Sequence, residues 1–139
     1  MPADPTIVDA FAATDLFGGL SRGDLERVAS NAKRFHHAAG NTLATQGESG
    51  LGFHLILDGT ATVSTGHGPD RQLRKGDYFG DIALIDGEPR SATVTAETEL
   101  ETASLTTWNF RPLLDEVPGL AKALLFVMCA RLRRAEKDR

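Results

Sequence analysis

The chain has 139 residues, a formal net charge of −4, 41% hydrophobic residues and 24% charged residues. This composition is typical of one soluble globular domain and lacks the basic excess that a general nucleic-acid binder carries. No apolar run approaches the roughly 18 residues of a membrane span, so no membrane association is expected. The single cysteine, Cys129, excludes an intrachain disulfide, fits a reducing cytoplasm, and in its apolar helical setting is expected to be a packed thiol.

The first part of the chain, residues 8–34, is expected to be helical. Ser21 followed by Asp24 is typical of a capping box, and apolar residues recur at helical spacing behind it. Before Phe11 the sequence supports only a loose arm or one turn of helix.

From residue 35 to residue 106 the apolar period changes to two, which indicates strands. Within FHLILDGTATVS the alternating apolar residues are Phe53, Leu55, Leu57, Ala61 and Val63. The Asp58-Gly59 pair marks a turn, and SATVTA (91–96) repeats the alternation. Short strands with regular turn signals predict an antiparallel β jelly roll, also called a double-stranded β-helix.

Residues 108–137 are predicted to form a short helix, Trp108 to Asp115, and a long helix that starts with Pro118. One apolar stripe of the long helix consists of Leu120, Leu124, Met128 and Leu132, and a second consists of Ala123, Phe126, Val127 and Ala130. A helix that is apolar on two sides needs two packing surfaces, the barrel and either a partner chain or a ligand. The fold class is therefore mainly β with flanking helices, in one domain that spans 1–139.

The segment GDIALIDGEPRSA (80–92) combines several groups that suit an anionic ligand. Gly80 lets the backbone approach a ligand closely, and DIALID could form a helical turn whose first N–H groups bind an anion. Arg90 adds a cationic fork and Ser91 a hydroxyl donor. Asp81 would repel that anion unless its carboxylate accepted a hydroxyl proton. The ligand expected from these residues carries a phosphate-like group beside a hydroxyl, as a nucleotide sugar-phosphate does.

FGDIAL (79–84) and PRSA (89–92) resemble the phosphate-binding cassette of the cyclic nucleotide-binding domains. That family includes the bacterial catabolite-activator-type regulators and the regulatory subunits of cyclic-AMP-dependent kinase. AAGNTLATQGESG (38–50), LILDGTATV (55–63) and KGDYFGD (75–81) are similar to the family's turns, so the resemblance covers roughly residues 16 to 135.

The resemblance implies a β jelly roll with N-terminal helices and a long C-terminal helix. It implies that Arg90, Ser91 and the backbone around Ile82 and Ala83 hold the cyclic phosphate. Gly80 and Asp81 would contact the ribose. The wall of the base pocket would be formed by Leu73, Phe79, Arg131 and Ala135. The ligand implied is cyclic AMP, with cyclic GMP as the alternative, and no cofactor and no enzymatic activity are expected.

The resemblance also bears on partners. The family closes its pocket with the C-terminal helix, here 118–137, which we expect to move and to contact an unidentified effector protein or a second copy in a homodimer. The DNA-reading helix-turn-helix of the activators has no room before Arg139, so no DNA binding is expected from this chain alone. Three positions depart from the family pattern: Asp81 stands where glutamate is usual, and Ala135 and Glu136 stand where the activators place a hydroxyl pair.

Other interpretations remain open at this point. Arg90 could instead pair with Asp86 or Glu88 as a structural residue. A metal site is not expected, because His36 and His37 would point to opposite faces of a strand and no H-x-H pair exists. The alternative function is a degenerate jelly-roll interaction domain that keeps the fold without binding a ligand, and an enzyme of the cupin type ranks third.

Overall fold

The computed structural model describes residues 4–47, 52–80 and 92–137. Within these ranges the helices are α1 (Pro5–Ala12), α2 (Arg22–Ser30), α3 (Thr107–Glu116) and α4 (Leu120–Lys137). The strands are β1 (Lys33–His37), β2 (Thr42–Ala44), β3 (Gly52–Asp58), β4 (Ala61–Ser64), β5 (Arg71–Leu73), β6 (Tyr78–Phe79), β7 (Thr93–Ala96) and β8 (Leu100–Thr106). No helix of the described part of the chain is long and apolar enough to cross a membrane.

The strands of the described residues form two four-stranded antiparallel sheets, with the orders β1-β8-β3-β6 and β2-β7-β4-β5. We call them the first and second sheets. In each sheet, strands that are distant in the sequence lie next to each other, as in a jelly roll. The predicted fold class is therefore confirmed. The predicted Asp58-Gly59 turn lies between β3 and β4, but it joins the two sheets instead of closing a hairpin, because β4 pairs with β5 and β7.

The two faces of the first sheet belong to two different hydrophobic clusters. Phe53, Leu55 and Leu57 of β3 pack with the helices, on what we call the outer face. Ile56, between them, packs with residues of the second sheet, on the inner face. Ala61 and Val63 also belong to this inner cluster. The predicted single alternating row of apolar residues through 53–63 is therefore divided between two clusters, because the chain crosses from one sheet to the other at Gly59.

The N-terminal helices are fixed by side-chain caps. Ser21 Oγ accepts a hydrogen bond from the Asp24 N–H at 3.2 Å, which confirms the predicted N-cap of α2. The expectation of only a loose arm or one turn of helix before Phe11 fell short, because α1 is an eight-residue helix that begins at Pro5. Asp4 Oδ1 accepts from the Thr6 N–H at 2.8 Å, and Pro5 occupies the first turn of α1, where its missing N–H costs nothing.

Helix α4 packs by a single buried stripe of Leu120, Leu124 and Val127. It begins at Leu120, so Pro118 lies outside it. Three large apolar side chains, Leu125, Phe126 and Leu132, are 62–66% exposed. The two predicted stripes are thus partly wrong: Val127 is buried and Leu132 is exposed.

Cys129 is also exposed, contrary to the expectation of a packed thiol, since it lies on the solvent side of the helix with Leu125.

Candidate ligand-binding site

The short strand β6 leads directly to the predicted cassette, residues 80–92. Phe79 and Tyr78 pair with His54 and Leu55 of β3. Gly80 follows with φ of +90°, a conformation that side-chain-bearing residues rarely adopt. A glycine therefore suits this position, at which the family resemblance implies contact with the ribose.

Five of the predicted site residues, Asp81, Ile82, Ala83, Arg90 and Ser91, lie outside the described residues. The ends of the cassette are described. Phe79, just before it, and Ala92, its last residue, both pack against the inner hydrophobic cluster. The cassette thus begins and ends at the inner face of the barrel. The roles predicted for its five central residues stay predictions.

Leu73 and Phe79, predicted to line the base pocket, both contact the inner cluster. Leu73 is 7% exposed and pairs with Ala61, so its side chain lies on the inner face of the second sheet. The Phe79 ring stacks on the imidazole of His54, with ring centroids 4.9 Å apart and planes 24° apart. Leu73 and the stacked pair of His54 and Phe79 therefore all face the interior of the barrel.

Four polar side chains cross the inner face of the first sheet in a continuous row, which we call the inner polar network. His54 Nδ1 lies 2.7 Å from Ser104 Oγ, Ser104 Oγ lies 3.2 Å from Thr102 Oγ1, and Thr102 Oγ1 lies 3.1 Å from His37 Nε2. Thr102 is fully buried and Ser104 is 8% exposed. Their hydroxyls therefore depend on this network and on the protein for partners.

The two adjacent histidines of β1 behave as the strand alternation predicts. His36 points outward to Glu99, with 3.0 Å between Nε2 and Oε1, whereas His37 points to Thr102. Burial lowers the pKa of His37, and the charge of His36 lowers it further. The Ala39 N–H and His36 together lower the pKa of the exposed Glu99 carboxyl.

Sequence reasoning considered the histidines only as metal ligands and so missed this network. A signal was present in LETASLT, where Thr102 and Ser104 alternate with Ala103 and Leu105. Small hydroxyl residues on the face opposite an apolar row indicate a polar strip. Their histidine partners come from other strands and could not be read from this segment.

Arg131, predicted to lie at the pocket wall, contacts the strand that leads to the cassette. Its Nη2 donates to the Tyr78 hydroxyl at 3.0 Å, and the guanidinium carbon lies 5.7 Å from the centre of the Tyr78 ring. The Tyr78 hydroxyl donates to Asp15 Oδ1 at 2.5 Å. We call these three residues the Tyr78 junction; it connects α4, β6 and the loop between α1 and α2. Ala135, one turn further along α4, is exposed.

Comparison with known proteins gives the family. The sequence model of the family described as "Cyclic nucleotide-binding domain" matches residues 34–117, which is more than half of the chain. The chain belongs to the cyclic nucleotide-binding domain family. The predicted resemblance is thereby confirmed.

Individual members of the family support the assignment. The chain is 39% identical to a "cAMP-dependent protein kinase regulatory subunit" of Eremothecium gossypii over 78% of its own length and 24% of that protein. The crystal structure of the Thermus thermophilus catabolite activator protein matches with a TM-score of 0.80 at 26% identity, over 90% of this chain and 61% of that one.

A third relative was solved with a nucleotide. The regulatory domain of Toxoplasma gondii PKA, crystallised with cAMP, matches with a TM-score of 0.76 at 25% identity, over 90% of this chain and 48% of that one. This cyclic nucleotide-binding domain thus spans about a quarter of the length of the Eremothecium kinase subunit and about half of the Toxoplasma domain.

Proposed function

We propose that this domain is a sensor that binds a 3′,5′-cyclic nucleotide, preferably cyclic AMP, and regulates an effector protein through its C-terminal helix, without catalysing a reaction itself. The observation that carries the proposal is the position of the cassette. The two described residues at the ends of the family's phosphate-binding motif, Phe79 and Ala92, both pack against the inner cluster of the jelly roll, and Gly80 follows Phe79 with a positive φ.

The chemistry of the cassette fits one ligand molecule. Arg90 supplies a permanent positive charge for the cyclic phosphate, and the Ser91 hydroxyl and the N–H groups of Ile82 and Ala83 supply neutral donors. Asp81, next to Gly80, accepts a hydrogen bond from the ribose 2′-hydroxyl. Leu73 and the Phe79 ring provide apolar surface for the sugar and base, with Arg131 and Ala135 approaching from α4.

Cyclic AMP, not cyclic GMP, is the preferred ligand in this proposal. Two of the relatives named above carry cAMP in their descriptions. In the family a threonine after the cassette arginine can favour guanine through its hydroxyl. Ser91 is a smaller version of that group, but a hydroxyl can serve either base, so Ser91 does not decide between them. Calorimetric titrations with the two nucleotides at equal ionic strength are expected to give the lower Kd for cyclic AMP. A lower Kd for cyclic GMP would reverse the assignment of the base.

The second candidate is an interaction domain that has kept the fold and lost the ligand. Two sequence departures favour it: Asp81 is one methylene shorter than the usual glutamate, and Ala135 and Glu136 lack the hydroxyl pair of the activators. The same titrations separate the two functions, because this candidate predicts no saturable heat with either nucleotide.

The Tyr78 junction is our proposed route from the ligand to α4. Tyr78 lies two residues before Gly80 and holds Arg131 of α4 by a hydrogen bond at 3.0 Å. A ligand that displaces the start of the cassette therefore acts on the same strand that anchors the helix. We propose that α4 exchanges between two placements and that the nucleotide shifts their populations.

Arg131→Met is expected to loosen α4 in the ligand-free protein. It removes a charged hydrogen bond while keeping an unbranched apolar stem, and such a bond contributes about 1.5–3 kcal/mol, or less at this half-buried position. Hydrogen exchange of residues 120–137 should accelerate about tenfold. Arg134→Met, on the exposed side of the same helix, is the matched control and should leave exchange unchanged. Equal protection in both variants would refute the anchoring role of Arg131.

The exposed face of α4 is the proposed contact for the effector or for a second copy. Leu125, Phe126 and Leu132 are each at least 62% exposed along this helix. Exposed apolar groups of this size on one helix commonly mark interaction surfaces. Sedimentation velocity of the parent and of Phe126→Ala distinguishes self-association from a contact reserved for another protein.

A further inference from the structure

The number of contacts in the inner polar network limits how its protons can be arranged. It consists of His37, Thr102, Ser104 and His54, joined by three contacts of 3.1, 3.2 and 2.7 Å. Three hydrogen bonds require three protons, and the two hydroxyls supply two. The third must come from His37 Nε2 or from His54 Nδ1. When both imidazoles are neutral, the complete network therefore has one of these nitrogens as donor and the other as acceptor.

Protonation of the two histidines is consequently linked. Protonated His54 donates from Nδ1 to Ser104, which leaves His37 Nε2 as the acceptor and hence His37 neutral. If both rings were protonated, one hydroxyl proton would have to leave the network and find another acceptor beside buried Thr102 and Ser104. With all its hydrogen bonds intact, the network can thus hold at most one positive charge.

The charged groups around the network are few among the described residues. His36 neighbours His37 but faces Glu99. Lys33, opposite Ser104 on β1, and Arg71, opposite Val63 on β5, lie at exposed positions on the inner sides of their strands. The inner face of the second sheet otherwise presents the apolar residues of the inner cluster. Outside the described residues, the sequence of the cassette contributes Asp81, Asp86, Glu88 and Arg90.

One end of the network reaches the cassette. The His54 ring, held by Ser104 at 2.7 Å, stacks on Phe79 with a centroid distance of 4.9 Å, and Phe79 immediately precedes Gly80. The other end, His37, lies on the edge strand β1 of the first sheet. A change in protonation at the edge of the barrel is therefore transmitted by hydrogen bonds to the aromatic pair whose Phe79 directly precedes Gly80.

We propose that His54 is a positioning residue for the phosphate-binding cassette, and that the inner polar network couples nucleotide binding to uptake of a proton. This inference rests on the proposed function. An anionic cyclic phosphate in the barrel stabilises a positive charge on a nearby imidazole, so ligand binding raises the proton affinity of the network. By reciprocity, protons raise the affinity for the ligand. Cyclic AMP therefore binds more tightly at pH 6 than at pH 8.

The first test needs no ligand. Nitrogen-15 NMR of the histidine side chains reports which ring nitrogen carries the proton and at what pH each ring titrates. In the full chain at pH 8, His37 Nε2 and His54 Nδ1 should be in opposite states. Thr102→Val keeps the side-chain shape but removes the shared hydroxyl, and it should make the two rings independent. If each ring had the same protonated nitrogen and the same titration pH in Thr102→Val as in the parent, the coupling would be overturned.

The second test measures the Kd of cyclic AMP at pH 6 and pH 8, the range that spans the ordinary histidine pKa of about 6.5. The parent should bind cyclic AMP at least about fivefold more tightly at pH 6 than at pH 8. His54→Phe keeps an aromatic ring against Phe79 and should make the Kd independent of pH. His67→Phe alters an exposed histidine in the turn between β4 and β5 and should retain the parent's pH dependence.

The outcomes separate the two proposals. If cyclic AMP binds with the same Kd at both pH values in the parent, the coupling of nucleotide binding to protonation of the network is wrong and the proposed function stands. If cyclic AMP does not bind at either pH, the proposed function is wrong, and the role of His54 in the cassette is wrong with it. In that case the ligand-free NMR still decides whether the two histidines are coupled.

Discussion

Arg90→Ala is expected to weaken cyclic AMP binding by about 2–5 kcal/mol, which is a factor of roughly thirty to several thousand in Kd. The cyclic phosphate carries a full negative charge, and the guanidinium is the one permanent cation in the cassette sequence. Removal of the cation leaves the ligand's charge inside the barrel without its partner. Calorimetric titration of the parent and the variant at the same pH measures the loss directly.

The matched control for this substitution is Arg111→Ala, which removes an arginine from an exposed position on α3. It should bind cyclic AMP as the parent does, and both variants should unfold at the parent's denaturant midpoint. If Arg90→Ala bound cyclic AMP as tightly as Arg111→Ala does, Arg90 would be a structural residue paired with Asp86 or Glu88.

Phe53→Ala is expected to cause the largest loss of stability, about 3–5 kcal/mol in the free energy of unfolding. The Phe53 side chain is fully buried, and its ring centroid lies 6.1, 5.6 and 5.2 Å from those of Phe11, Phe17 and Tyr78. The substitution leaves a cavity where the N-terminal helices, the barrel and the strand before the cassette meet. Urea unfolding measures the change.

Trp108→Ala is the control for Phe53→Ala, because it removes an aromatic side chain from a position that is 82% exposed. Its free energy of unfolding should stay within about 0.5 kcal/mol of the parent. Comparable losses in the two variants would mean that Phe53 is not the centre of the helix–barrel contact.

Much of the fold was predictable from local pattern. The two-residue period of FHLILDG and SATVTA gave the strands, and Ser21 with Asp24 located the start of α2. Helix α1 also had a local signal that the prediction did not use, with Asp4 before Pro5 and apolar residues at Ile7, Val8 and Phe11. Strand and helix positions follow from such short-range periodicity because each face of an element meets one environment.

The features that depend on strand pairing could not be predicted. The register of β8 with both β1 and β3 brings His37 and His54 to the same pair of hydroxyls, although the two histidines are 17 positions apart along the chain. The Tyr78 junction joins residues from the N-terminal, central and C-terminal parts of the sequence. The cassette itself was recognised from its residue pattern, and its geometry stays a prediction because residues 81–91 lie outside the described ranges.

The most direct test of nucleotide binding at the cassette is an amide chemical-shift titration of the full chain with cyclic AMP, with acyclic 5′-AMP as the control. We expect saturable shifts with cyclic AMP that are largest at Leu73, Phe79, Gly80 and Ala92 and in the cassette between them, and only weak shifts with 5′-AMP. The account would be contradicted if millimolar cyclic AMP caused no shifts. Shifts concentrated in the surface groove between α2 and α4, at Gly19, Lys122 and Phe126, would also contradict it.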